Sequence, residues 1–253
     1  MTLRGVTSIG VEEAQAAVFT VRPFLSFAWG RYIGIALAQG YNEASEIVFA
    51  HWGMIPCDPA IVPHAQNVHW FNPGHAEVLA DILPGYWRRC QSNYWNDAVE
   101  WAIYWWLSAN GLGQRSETSI LASQAGLETI SEKILSMLGS RSKTSLENLK
   151  VSGRIRELLE FLKIPVGVPA QLIEITNWAT VKSWDGPTAF VNIRNALAHP
   201  AKSGETGLAY EASPPGMWYL ELALLFLFDF KGEYSNRTLF DAPSWKLDRV
   251  PWA

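Results

Sequence analysis

From His75 onward, apolar residues recur at helical intervals, and the breaks in that recurrence fall on helix-ending chemistry. Residues 76–83 read as a helix stopped by Pro84-Gly85, with a second piece over 86–90. Residues 96–109 end at Asn110-Gly111, a good C-terminal signal. Residues 117–138 carry Ile120, Leu121, Leu127, Ile130, Ile134 and Leu138 at helical period and end at Gly139. Thr144 and Glu147 form a capping-box pattern. It opens a helix with Leu146, Leu149, Ile155, Leu158, Leu159 and Leu162 on one side, stopped by Pro165. Pro169 suits the first turn of a helix to about residue 180. Asp185-Gly186-Pro187 opens another to about residue 198, and Ser213-Pro214 opens the last. Residues 217–230 are apolar on most faces and therefore central.

The first quarter is different. Residues 12–28 have helical character that Pro23 should kink or end. Residues 31–38 and 46–52 are short and rich in Ile, Val, Tyr, Phe and Trp, and QGYNEAS between them suits a hairpin. Two strands alone do not make a stable sheet, so they read as the edge of a larger β region or as strands that pair with a partner. Pro56, Pro59, Pro63 and Pro73 mark a boundary. The expected fold is mainly α, a helical bundle over residues 75–253 preceded by a short α+β segment over residues 1–74.

Composition narrows this picture. The chain has 253 residues, 17% of them charged, and 13 tryptophans, so aromatic packing should dominate a sizeable core. A net charge of −4 argues against a broad nucleic-acid surface but leaves room for a narrow site that handles a few nucleotides. Cys57 and Cys90 are too few for a disulfide framework and read as reduced thiols. The start, MTLRGVTSIGVEEAQ, lacks the basic and apolar runs of a signal peptide, and the 217–230 stretch falls short of the ~20 residues that span a bilayer. A cytoplasmic protein without membrane contact is expected.

The chemistry gathers at Arg194, Asn195 and His199, followed by Pro200. Asn195 and His199, four residues apart, share a helix face, where the amide can fix the imidazole tautomer. Arg194 lies about 140° around from His199, but Pro200 disfavours helical backbone at His199 and frees it to swing. A helix C-terminus also favours the imidazolium.

These residues resemble the R-x4–6-H signature of the HEPN superfamily, with Asn after the Arg as in its ribonucleases. The run MWYLELALL from Met217, the exit GEYSNR ending at Arg237, and VPW ending at Trp252 are similar to bacterial HEPN proteins of the ApeA abortive-infection type. The resemblance covers roughly residues 75–253. It implies a metal-independent endoribonuclease in antiphage defence or a toxin system, with no cofactor. It also implies a homodimer in which one R-x4-H from each protomer meets at the interface. In those relatives a β-rich domain precedes the helical one. Residues 1–74 are too few for a full copy, so a shortened relative or a fragment is expected, with a regulatory protein partner or a missing N-terminal domain.

The chemistry of the residues agrees with that role. RNA carries its own nucleophile, the 2′-hydroxyl. Histidine can accept and donate the protons, and arginine supplies a permanent planar cation for the phosphate. Two supporting acids are expected. Glu128, on the long earlier helix, is placed by the resemblance against the motif Arg. Glu221, inside an apolar helix, must be paired if buried, with Arg194 or Arg237 as partner. His51, His64, His69 and His75, near Cys57 and Asp58, match no zinc spacing and read as loop and surface residues. Trp95, Trp101, Trp105 and Trp106 read as core or interface, with base stacking as the lesser alternative. A second functional reading stays open: a catalytically silent HEPN-like dimerisation or RNA-binding module that acts as scaffold or sensor.

Overall fold

In the computed structural model, which describes residues 10–53, 57, 69–71, 77–111, 117–198, 208–239 and 247–253, the described residues form nine helices and two small antiparallel hairpins. The fold is mainly α with a short α+β entry.

Helix α1 (Val11–Trp29) opens where the Glu13 carboxylate accepts the Gly10 N–H at 2.9 Å. It closes at Gly30, whose φ of 66° is a left-handed conformation that glycine adopts without strain. Pro23 lies inside the helix and does not end it. Just beyond it, Phe24, Phe27 and Ala28 are fully buried, and their packing outweighs the one hydrogen bond that proline forfeits. Phe27 meets the rings of Trp70, Trp106 and Phe228. The expected boundary near residue 74 therefore divides the sequence and not the core, since Phe24, Phe27, Trp70 and Phe71 share one cluster with the later helices.

Strands β1 (Leu37–Tyr41) and β2 (Ile47–Trp52) form the expected hairpin, with Leu37 opposite Trp52. Asn42 closes the turn by accepting the Glu46 N–H and donating to the Glu46 carboxylate. The first strand begins later than expected because the preceding chain is tied back to α1. Arg22 Nε donates to the Ile33 carbonyl, and the Ile33 N–H donates to Ser26 Oγ.

Helix α2 (Val78–Cys90) runs through Pro84-Gly85 without the expected break. Gly85 serves a close approach: a Cβ there would lie 2.1 Å from the Phe228 carbonyl oxygen. Helices α3 (Asn96–Gly111) and α4 (Glu117–Met137) follow the sequence pattern closely. The helix expected from Thr144 is instead two, α5 (Lys143–Glu147) and α6 (Val151–Phe161), and the cap is Ser142, whose Oγ accepts the Ser145 N–H. An extended Lys150 separates them, and both Leu146 and Ile155 reach full burial. Helix α7 (Ile173–Lys182) starts four residues after Pro169, whose carbonyl accepts the Leu172 N–H in a preceding turn.

Helix α8 (Gly186–Ala198) begins where expected. Helix α9 (Ala209–Leu227) begins before Ser213 and carries Pro214 and Pro215 inside it. It is apolar nearly all round because it packs against α2, α3, α4, α7 and α8. The short pair β3 (Glu233–Ser235) and β4 (Leu247–Arg249) was not legible in the pattern. It is anchored by Ser235 N–H donating to the Trp70 carbonyl and Val250 N–H donating to the Gly232 carbonyl.

Candidate functional site

Asp185 fixes the start of α8. Its Oδ1 accepts the Thr188 N–H at 2.9 Å, and its Oδ2 accepts Arg156 Nε at 2.5 Å. Burial alone would raise the Asp185 carboxyl, but the hydrogen bonds from Arg156 and Thr188 and the Arg156 charge hold it below the usual range. Farther along, a Cβ on Gly186 would strike the Tyr219 hydroxyl, and one on Gly216 would strike the Phe190 ring. Helix α8 therefore runs antiparallel to the first half of α9, and its inner face, Ala189, Phe190 and Ile193, is buried.

The outer positions near the end of α8 are Arg194, half-buried, and Asn195, exposed. Arg194 Nη1 donates to Asn195 Oδ1 at 3.3 Å. Arg194 Nε is buried with no hydrogen-bond partner among the described residues, and the side chain enters no ion pair with them. His199 and Pro200 lie outside the described residues, and so does the expected pairing of Asn195 with His199.

Both supporting acids are engaged elsewhere. Glu128 Oε1 accepts Gln124 Nε2 at 2.7 Å, and Oε2 lies 3.9 Å from Arg154 on α6. Arg154 is shared with Glu132 at 3.7 Å. Glu128 is thus turned to Arg154 and not to Arg194, because the α4 face that carries it packs on α6.

Glu221 is fully buried, and of its two expected partners the structure has Arg237. Arg237 donates to Glu221 Oε2 from Nη2 at 2.5 Å and from Nε at 3.2 Å. Its Nη1 donates to Asn110 Oδ1 at 3.2 Å, and the guanidinium lies 5.5 Å from the Trp106 ring centre. Burial pushes the Glu221 carboxyl up, while the charge and hydrogen bonds of Arg237, and the nearby Trp106 indole, pull against it. Glu221 Oε1 and Trp106 Nε1 nonetheless make no hydrogen bond of ordinary geometry with the described residues. This network joins α3, α9 and the chain after β3, and its guanidinium is Arg237, not Arg194.

Of the remaining histidines, the structure describes His51 and His69. His51 is half-buried on β2, and His64 and His75 lie outside the described residues. His69 packs edge-on to Trp29 at 5.3 Å, and burial lowers its pKa. Among the described residues, no group of three His, Cys, Asp or Glu side chains could hold a metal ion, and Cys57 and Cys90 are free thiols. No helix among them is long and apolar enough to cross a membrane. The tryptophans divide: Trp95 and Trp106 are buried, Trp105 is half-buried, and Trp101 is 54% exposed. A small apolar cavity between α7, α8 and α9, lined in part by Phe190, Pro215 and Tyr219, had no signal in the sequence.

The family model of the YopA C-terminal domain matches residues 92–247, and that of the YopA central domain matches residues 5–62. The SPbeta prophage-derived uncharacterized protein YopA of Bacillus subtilis (strain 168) is 25% identical over 233 residues. That match covers 90% of this chain and 51% of the relative, so the chain spans about half the length of the curated relative it matches. No solved structure matches.

Proposed function

This chain belongs to the YopA C-terminal domain family, and we propose that it is a HEPN-type endoribonuclease that cleaves RNA without a metal ion at a site shared by two protomers. The observation that carries this reading is the electrostatic isolation of Arg194. Arg154, Arg156 and Arg237 are each held by a carboxylate, whereas Arg194 is in no ion pair among the described residues. A guanidinium at a helix end, free of acid and beside an exposed amide, is suited to a phosphate. Within this reading His199 moves protons, Asn195 orients it, and Arg194 stabilises the charge that develops on phosphorus. One His199 from each protomer accounts for the two proton transfers. The prophage origin in the relative's name is compatible with a part in phage conflict, by antiphage defence or as a toxin.

The competing reading, a catalytically silent scaffold or sensor, is favoured by the net charge of −4. Incubation of the purified protein with a defined RNA in EDTA separates the two. The proposal expects products ending in 2′,3′-cyclic phosphate, lost in His199→Ala and in Arg194→Lys. Cutting that requires magnesium and leaves 5′-phosphates, or that survives His199→Ala, would overturn it.

A further inference from the structure

No described helix packs closely on either strand of the β1–β2 hairpin. Cross-strand partners share a sheet face, and on one face Leu37 lies opposite Trp52 and Tyr41 opposite Ile47. These four are exposed, from 40% at Leu37 to 79% at Trp52, and Val48 beside the register shift is exposed as well. Ala38, Gly40, Phe49 and His51, on the other face, are half-buried. Gly53 N–H donates to the Ala36 carbonyl at the base of the hairpin, and no backbone hydrogen bond reaches either strand from another described residue. A two-stranded sheet is marginally stable alone. This one leaves open an apolar face and two backbone edges.

The occupant must satisfy both. Open edges carry unpaired N–H and C=O groups, and an added strand pairs them while it covers the apolar face. A bilayer cannot pair them. Between Arg31 and Arg88 the sequence has no Lys or Arg, and Glu43 and Glu46 are exposed at the turn. A nucleic-acid backbone or an anionic lipid surface would meet carboxylates there where each needs cations. The hairpin also lies inside the match to the YopA central domain, and the Bacillus subtilis relative carries as much chain again outside its match to this protein. The matched C-terminal domain accounts for the chain after the central domain, which leaves the relative's further chain on the side of the hairpin.

We propose that the β1–β2 hairpin is the docking edge for an extended polypeptide strand, equivalent to one in the relative's unmatched half, which adds to the sheet and covers Leu37, Tyr41, Ile47 and Trp52. Alternate side chains of the added strand face these residues. The hairpin follows α1, which packs on α2 and α3, whereas α8 packs on α4, α6, α7 and α9. The docking edge is thus anchored through helices other than α8, and the proposal does not rest on the ribonuclease reading.

The test titrates overlapping synthetic peptides from the relative's unmatched half, each long enough for one strand, into the full chain, with calorimetry and hydrogen exchange as readouts. At least one peptide should bind and slow amide exchange within residues 37–41 or 47–52, the signature of an added strand. Trp52→Glu should raise its dissociation constant at least ~30-fold, the scale of a central aromatic hot spot. The melting temperature should hold, because Trp52 is exposed on a hairpin that no described helix covers. Val181→Glu, at a similarly exposed apolar position on α7, should leave the dissociation constant unchanged. No binding by any peptide, or binding that Trp52→Glu leaves intact, overturns the proposal. So does an equal loss in Val181→Glu, the mark of non-specific adhesion. Peptide binding without slowed exchange in either strand overturns strand addition. Self-association of the wild type that is lost in Trp52→Glu gives the face to a second copy. Phosphatidylcholine vesicles that bind the wild type but not Trp52→Glu give it to a bilayer, and either result overturns the added strand.

Discussion

Replacing Arg237 with methionine should be among the most damaging single changes in the core. Arg237 is 5% exposed and Glu221 0%, and the guanidinium is the only ion-pair partner of that carboxylate among the described residues. The variant keeps much of the volume but leaves a buried carboxylate without its counter-charge. Breaking a buried pair from one side costs about 3–5 kcal/mol. A chain of this size shifts its Tm by roughly 2–4 °C per kcal/mol, so the loss should be about 6–20 °C.

The cost must also depend on pH. Burial already raises the Glu221 carboxyl, and losing Arg237 removes the influences that pull it down. A raised folded-state pKa contributes stability that is present below the unfolded value, about 4.3, and lost as pH rises. Each pH unit above that value costs up to about 1.4 kcal/mol until the folded-state pKa is passed. The deficit against wild type should therefore be larger at about pH 7 than at about pH 5. Adding Glu221→Leu to Arg237→Met should recover most of it, because a well-packed apolar pair replaces a buried ion pair at little cost. Urea unfolding of the four proteins of the double-mutant cycle at both pH values is the assay. A single variant within about 1 kcal/mol of wild type, or a deficit that does not change with pH, would refute the reasoning.

Three further outcomes are expected. Asp185→Ala removes the α8 cap and should cost about 1–2 kcal/mol in urea unfolding, with little added by the partly exposed Arg156 pair. Because the Asp185 carboxyl is held low, wild type should keep that contribution above about pH 4 and lose it as acid titrates the folded form, whereas Asp185→Ala should show no such component. Gly85→Ala should lower the melting temperature despite alanine's better helix propensity, since its Cβ would lie 2.1 Å from the Phe228 oxygen and overpacking costs about 1–3 kcal/mol or more; an unchanged melting temperature would contradict the close approach of α2 to the end of α9. RNA cleavage should follow a bell-shaped pH profile near neutrality, measured as an initial rate on a defined RNA, and Asn195→Ala should lower it less than His199→Ala does.

The helices legible in the sequence are those whose limits are set locally. Asp185 caps α8 through its own side chain, three residues from the N–H it accepts, so a short motif sufficed. The errors cluster at prolines 23, 84, 214 and 215, all of which lie inside helices. An internal proline costs about 3 kcal/mol by local rules. In α1 that cost is outweighed by Phe24 and Phe27, whose partners Tyr86, Trp106 and Phe228 lie far away in the chain. The β3–β4 pair was invisible for the same reason, being anchored through Trp70 and Gly232 without any alternating pattern of its own.

The candidate site was legible to the extent that its chemistry is contiguous. Arg194 and Asn195 follow one another, and the structure has them in hydrogen-bonding contact at the outer end of α8. The acids were harder to place because a carboxylate's partner is chosen by helix packing and not by sequence distance. Glu221 found Arg237, sixteen residues on, because the chain after β3 folds back against α9. Glu128 found Arg154 because its face of α4 lies on α6. These two assignments bear directly on the site. Had either acid reached Arg194, the guanidinium would have been neutralised in place and a phosphate would have had to compete with a carboxylate. With both acids committed elsewhere, the positive charge of Arg194 stays uncompensated among the described residues, and that is the property an anionic substrate would use.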